Sequence, residues 1–272
     1  MNILISILMG ILQGLTEFLP VSSSGHLVLA QHFLGVEQGE NPMFEIFLHL
    51  GTLLAVIFYF RTLIWDLLRS LLSWGNTLDS HQHRRNRTMV VYLALATLMT
   101  GIIYHFAGDW FKSLYHKPLI VSFMLLVTGG LIFISDFVRH GSIPASQMGV
   151  IRSVIIGVMQ AVAIIPGISR SGSTISGALF SGVKRSEAAQ FSFLLAIPAI
   201  LAANLSVFSD LNALSAKQFI IYLLGFIASF GVGYLVIAVL IRLIQSARLK
   251  YFAYYCWAVG GFSIVLILWG RF

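Results

Sequence analysis

The chain has 272 residues, 58% of them hydrophobic and 10% charged, with a formal net charge of +7 and one cysteine. A soluble domain carries about a quarter charged residues, so the composition excludes a soluble or disordered protein and leaves a polytopic membrane protein with about six spans of ~20 residues. The basic residues are scattered in short stretches beside apolar segments, which argues for a topogenic role and against nucleic acid, and a lone Cys256 excludes an intrachain disulfide and a cysteine-based metal site.

The opening MNILISILMG has an apolar run but no basic flank and no small-residue cleavage site before Glu17, so it reads as mature chain. Ile3 to Leu19 is helical in character and stops at Pro20, which removes a backbone donor and disfavours continuation. Gly25 to Val36 is too short to cross. Together these pieces read as a re-entrant helix pair whose SSSG turn lies at membrane depth, where irregular backbone is tolerated only under protein or beside a wet cavity. Glu37 to Pro42 is an acidic loop, and Phe44 to Phe60 is the first full span. Thr62 to Trp74 mixes Leu and Trp with Asp66 and Arg69, as an interfacial amphipathic helix does. It runs into NTLDSHQHRRNR, read as the most basic loop. Met89 to Ala107 spans, Gly108 to Lys117 reads as a loop with Asp109 and Lys112, and Pro118 to Val138 spans back. After Arg139, Met148 to Ile165 opens a second broken element, interrupted at Pro166, with Gly172 to Val183 as its return arm. Ala188 to Phe208, Gln218 to Ile244 and Tyr251 to Trp269 complete the set.

An internal repeat organises these pieces. Laying Gly157 on Gly10 also superposes Gln160 on Gln13, Ser169 on Ser22, Ser171 on Ser24, Gly172 on Gly25, and Phe180, Gly182 and Val183 on Phe33, Gly35 and Val36. The expected fold is therefore an all-α polytopic membrane protein, one integral domain over 1–272. Its first half is 1–138 and its second 148–272, each with one re-entrant pair and three transmembrane helices. Three spans is an odd number, so the second half is expected to be inverted, with polar sites at the midplane where the halves meet. The basic residues at 84–87, Arg139, Arg152, Lys184, Arg185, Arg242, Arg248 and Lys250 then fall on the cytoplasmic side. The loops at Glu37, at 108–117 and at Asp210 to Lys217 fall outside, as do both termini.

The chemistry sits in two polar islands, GLTEFLPVSSSGH (Gly14 to His26) and PGISRSGST (Pro166 to Thr174). A carboxylate at the bilayer centre costs about 2.5–3.5 kcal/mol on insertion scales, so Glu17 is there for a function or a partner. The repeat diverges where chemistry acts: Glu17 aligns with Ile164, Ser23 with Arg170, and His26 with Ser173. Arg170 can grip an anion bidentately, flanked by Ser169 and Ser171, with Gly172 allowing close backbone approach. Thr174 and the amides of Gly172 and Ser173 are expected to open the return helix, and the Ser22–Ser23–Ser24–Gly25 turn opens the other. Two helix N-termini converging on one point suit a phosphate, and a diphosphate better. His26 can act as nucleophile or proton donor, and Glu17 as proton acceptor or metal ligand. The plainer readings are that Glu17 and Arg170 form a structural pair, that His26 is a satisfied core histidine, and that Ser22 or Ser24 bonds neighbouring backbone. His49, mid-span without polar neighbours in sequence, reads as structural. Glu45 reads as a solvated helix end, and Glu187 as a local partner of Lys184 and Arg185.

The two islands, together with FSFLLAIP (Phe191 to Pro198) and FEIFLHLGTLLAV (Phe44 to Val56), resemble the bacterial undecaprenyl-diphosphate phosphatase family, the bacitracin-resistance proteins, over essentially the whole chain. The resemblance implies a plasma (inner) membrane phosphatase that converts undecaprenyl diphosphate to undecaprenyl phosphate, recycling the carrier lipid of peptidoglycan synthesis. It implies an outward-facing site helped by a divalent cation, Mg2+ or Ca2+. Functional roles carry over to Glu17, Ser22, Ser23 and His26 and to Ser169, Arg170, Ser171 and Thr174. The first motif in the family can begin with a glutamate. Here that position is Gln13, a supporting residue that leaves Glu17 as the motif's one acid and candidate metal ligand. The nucleophile stays open among His26, Ser23 and water, and a homodimer stays open. The rival reading is a polyprenyl-phosphate flippase built on the same repeat.

Overall fold

Helix lengths decide which segments can cross a bilayer. The computed structural model describes residues 2–35, 42–72, 81–138, 141–204, 214–245 and 248–270. Its helices are α1 (Ile3–Thr16), α2 (Ser23–Phe33), α3 (Pro42–Tyr59), α4 (Arg61–Leu72), α5 (His81–Ser113), α6 (Pro118–Asp136), α7 (Val150–Val162), α8 (Arg170–Phe180), α9 (Arg185–Asn204), α10 (Ala216–Gln245) and α11 (Lys250–Leu268). The β-pairing found among the described residues is one isolated bridge, Ile143 to Val183. Five described helices, α5, α6, α9, α10 and α11, are long and apolar enough to span, and α3 with α4 is a sixth candidate, bent by 75° between its two parts. At 1.5 Å per residue, α1 with 14 residues and α7 with 13 reach about 20 Å, short of a ~30 Å hydrocarbon core. Each is followed by a turn and an 11-residue helix, α2 or α8. The order of one broken pair and three long helices therefore occurs in both halves.

Two expected loops are helical in part. α5 begins at His81, so HQHRRNR forms its first turns, and it ends at Ser113, so Asp109 and Lys112 lie on a helix as an i,i+3 pair 3.6 Å apart. No proline interrupts His81 to Ser113, and Arg, Gln and Lys are good helix formers. The chain breaks only on approaching Pro118. The acidic 37–41 stretch, 76–80, Arg139 and Asp210 fall outside the described residues.

Small residues set the packing, as expected where lipid gives no hydrophobic drive for helices to associate. α1 lies against α10, α7 against α5, α6 against α11, and α3 against α10. Gly10 and Gly14, one turn apart on α1, press on the backbone of Gly225 and Ser229; a Cβ on Gly14 would stand 2.8 Å from the Ser229 carbonyl. Ser229 Oγ also donates to the Leu48 carbonyl at 2.9 Å, tying α10 to α3. α7 approaches α5 similarly: Ser153 Oγ donates to Tyr92 O (2.6 Å) and Thr100 Oγ1 to Gly157 O (3.0 Å). The central apolar cluster includes Phe18, Phe60, Ile132, Ile156, Ile175 and Phe193.

A buried ion pair ties three helices at one end. Arg185 Nη1 donates to Asp136 Oδ1 at 3.1 Å, and the Asp136 carboxylate also accepts from the amides of Leu249 and Lys250, where α11 begins. This corrects the local reading of Glu187: Arg185 pairs with Asp136, and Glu187 accepts from the Ala145 amide at 2.6 Å.

Candidate functional site

The two short helices begin in the same way. Ser22 caps α2 by accepting from the Gly25 amide (3.2 Å), and Ser169 caps α8 by accepting from the Gly172 amide (3.0 Å). The helix start at Arg170 corrects the later start expected at Gly172: the Gly172 amide is taken by the cap, and the Ser173 amide closes onto Ser169 O at 2.8 Å. Any anion at this end therefore meets the dipole and the first-turn groups around Arg170 and Ser171. Ser22 has φ +70°, a conformation that costs a non-glycine residue of order 1–3 kcal/mol. The turns abut backbone to backbone, since a Cβ on Gly25 would stand 2.9 Å from Gly167 Cα.

Contact between the turns brings the two islands together. Arg170 Nη2 donates to Glu17 Oε1 at 2.9 Å, while Glu17 Oε2 accepts from Ser23 Oγ at 2.6 Å and from Gln13 Nε2 at 2.9 Å. The Ser23 bond has the short length of a hydroxyl bonded to a charged carboxylate. Ser171 Oγ donates to Leu19 O (3.0 Å) and lies 3.2 Å from Ser169 Oγ. Ser22 Oγ and Ser24 Oγ are 3.3 Å apart. Thr174 Oγ1 shares a 2.6 Å hydrogen bond with Ser192 Oγ of α9, and Arg170 Nη1 reaches the Ser192 carbonyl at 3.4 Å. Ser192 belongs to the FSFLLAIP stretch, which thereby backs the guanidinium. Ser173 is buried in the first turn of α8.

His26 is differently placed from the expected partnership with Glu17. Its Nδ1 bonds the Ser22 carbonyl (2.8 Å), and its Nε2 lies 3.0 Å from the Tyr255 hydroxyl on α11. The bond to Glu17 that a catalytic hydroxyl needs is made by Ser23. Gln13 has no solvent exposure, and its Oε1 has no hydrogen-bond partner.

Several contributors lie outside the motifs. His49, mid-span without polar neighbours in sequence, has them in space: its Nε2 lies 3.9 Å from Glu17 Oε2 and its Nδ1 is satisfied by Glu45 O. Glu45 is half-buried and accepts from Gln31 Nε2 at 3.0 Å, rather than ending in solvent. Tyr115, in the turn between α5 and α6, bonds Ser24; burial pushes its phenol pKa up, and the Glu45 and Glu17 carboxylates push the same way. Thr128 of α6 ties the second turn, donating to Gly167 O (2.8 Å) and accepting from the Ser169 amide (3.0 Å). The fully buried members are framework. Ser23, Ser24, Arg170, His49, Glu45 and Tyr115 keep partial exposure and form the open polar face. His49 and Glu45 could be found from FEIFLHLG, where they lie four residues apart on one helix face; Tyr115 has no signal in its neighbours.

Among the described residues no group of three or more His, Cys, Asp or Glu is placed to hold a metal ion. The carboxylates at the site are Glu17 and Glu45, and Gln13 turns its Nε2 to Glu17 and leaves its buried Oε1 unpartnered.

The chain is similar to known proteins over nearly its whole length. The model of a family described as "Bacitracin resistance protein BacA" matches residues 6–262. A protein of Methanobrevibacter smithii named undecaprenyl-diphosphatase is 42% identical over 270 residues, covering 96% of each chain. Proteins of the same name from Alkaliphilus metalliredigens and Syntrophotalea carbinolica are 41% and 42% identical, covering 97% and 96% of this chain and 98% and 97% of theirs.

Proposed function

This chain belongs to the BacA family of bacitracin resistance proteins, and from that premise we propose that it hydrolyses undecaprenyl diphosphate to undecaprenyl phosphate and inorganic phosphate in a bacterial plasma membrane. The observation that carries the reading is Glu17 held between Arg170 at 2.9 Å and Ser23 at 2.6 Å, a hydroxyl, its base and an anion binder at the junction of two helix N-termini. The names of the relatives favour phosphatase over lipid flipping.

In the mechanism we infer, the diphosphate lies across the starts of α2 and α8, where Arg170 and the helix dipoles offset charge as it moves onto the leaving oxygen. Ser23 Oγ attacks the terminal phosphorus while its proton passes to Glu17, and the anhydride bond breaks to release the lipid monophosphate, whose leaving oxygen takes that proton from Glu17. Water then hydrolyses the phosphoserine, its proton passing to Glu17 and on to the Ser23 oxygen as inorganic phosphate leaves. His49 and Tyr115 line the face through which water and phosphate exchange, on the side we assign to the outer surface. Glu17 would hold a divalent cation, with phosphates and water completing the shell as they do around Mg2+. When bound it would neutralise phosphate charge.

The decisive experiment is phosphate release from undecaprenyl diphosphate by purified protein in detergent, where no second compartment exists, with turnover of labelled lipid quenched in acid to trap phosphoserine at Ser23 and, in parallel, in alkali to trap phosphohistidine. A labelled His26 in its place would reassign the nucleophile, and absence of release would remove the reading.

A further inference from the structure

His26 has one nitrogen committed to its own turn. The Ser22 carbonyl can only accept, so Nδ1, at 2.8 Å, carries the proton and Nε2 carries the lone pair. Nε2 is therefore the nitrogen able to meet a substrate, and at 3.0 Å it already accepts from the hydroxyl of Tyr255. The two rings are nearly parallel, 5° between planes and 5.5 Å between centroids. Burial differs sharply across this pair: His26 is 7% exposed and Tyr255 is 44% exposed.

α11 is a candidate membrane span, so the exposed face of Tyr255 looks into lipid. The register of α11 is fixed by the next residue. Cys256 is buried beneath the first turn, its Sγ 3.8 Å from Pro20 O, which leaves Tyr255 at the edge of the helix, beside the exposed Tyr251 and Tyr254. Two flanks away from the open polar face are packed: α1 is pressed onto α10 at Gly10 and Gly14, and the second turn is packed onto α6 through Thr128. Between the imidazole and the bilayer stands one tyrosine, with a polar tip on the site and an aromatic body in the membrane.

We propose that Tyr255 is the latch of a lateral portal along α11 and contacts the arriving substrate. A polyprenyl diphosphate sliding in from the bilayer takes the Tyr255 hydroxyl from His26 Nε2 onto a phosphate oxygen, freeing that nitrogen to face the substrate. The ring then packs on the first isoprene units. This rests on the phosphatase reading and adds to it the route of the lipid and a residue that recognises it.

Two measurements test it. A non-hydrolysable polyprenyl diphosphate analogue with a diazirine on its first isoprene unit is photolysed with the full-length protein in micelles, and the adducts are mapped. Labelling at Tyr255 or its neighbours Tyr251 and Tyr254 is expected; labelling confined to another helix overturns the portal. In parallel, Tyr255→Phe keeps the ring and loses the hydroxyl. Loss of one hydrogen bond to a charged group raises KM for undecaprenyl diphosphate about tenfold, with kcat changed less than about threefold. The reverse split, kcat down about tenfold with KM unchanged, would mean that the hydroxyl serves His26 in the transition state, and it also overturns the proposal. A wild-type protein that releases phosphate but labels elsewhere loses the portal and keeps its function. One that releases no phosphate loses the function itself.

Discussion

Arg170 and Glu17, 153 positions apart in the chain, meet at 2.9 Å with side chains 16% and 4% exposed. A pair so enclosed has surrendered much of its hydration, and it makes sense where a second anion is expected to share the guanidinium.

Arg170→Ala should lower kcat by at least about 10²–10³-fold, the usual loss on removing one preorganised charge-stabilising group. It also leaves Glu17 buried without its counter-charge, a loss of about 3–5 kcal/mol. Thermal denaturation of the single variant and of Arg170→Ala/Glu17→Gln separates the two effects: stability should largely return in the double variant while activity does not.

Ser23→Ala should abolish turnover and the phosphoserine adduct and leave folding intact, because Ser23 is partly exposed and its described bond is to Glu17. Burst-phase measurement with labelled lipid reads this directly; retained activity would move the attack to water or His26.

Ser22→Gly should be tolerated far better than Ser22→Ala. Glycine relieves the positive φ and costs only a few tenths of a kcal/mol as a cap, whereas alanine keeps the strain and loses the bond to the Gly25 amide, about 1 kcal/mol. Melting temperatures of the two variants rank them.

Gly14→Leu should prevent assembly, because the added side chain meets the backbone of Ser229 and Gly233, while Gly130→Ala, where a Cβ meets nothing within 4 Å, should leave expression and melting unchanged. Size-exclusion profiles after extraction check both.

Chelation should suppress activity, and Gln13→Glu, which places a second carboxylate beside Glu17, should lower the divalent concentration for half-maximal rate by about tenfold, since added ligand charge tightens hard-cation sites. Titration of Mg2+ and Ca2+ against phosphate release measures it.

What could be read from the sequence followed from period and punctuation. Pro20 and Pro166 mark both breaks, α1 and α7 end within a few residues of their apolar runs, and the polar islands stand out because Glu17 and Arg170 have no other reason to lie at depth. The limits of α5 were not legible, since charged residues such as Arg84 and Lys112 favour helix as readily as loop and only proline marks an end. The partners of His26 and Ser24 were equally hidden. Tyr255 and Tyr115 come from helices and turns distant in the chain, and aromatic residues are too common in membrane spans to single out two of them.

The touching glycine backbones at Gly25 and Gly167 leave no slack between the hairpins. A carrier that exposes its cargo alternately to two compartments has to rock one repeat past the other, and here that stroke would tear the seam that builds the anion site. Under the portal proposed above, the seam holds the two hairpins together while the lipid moves sideways past Tyr255.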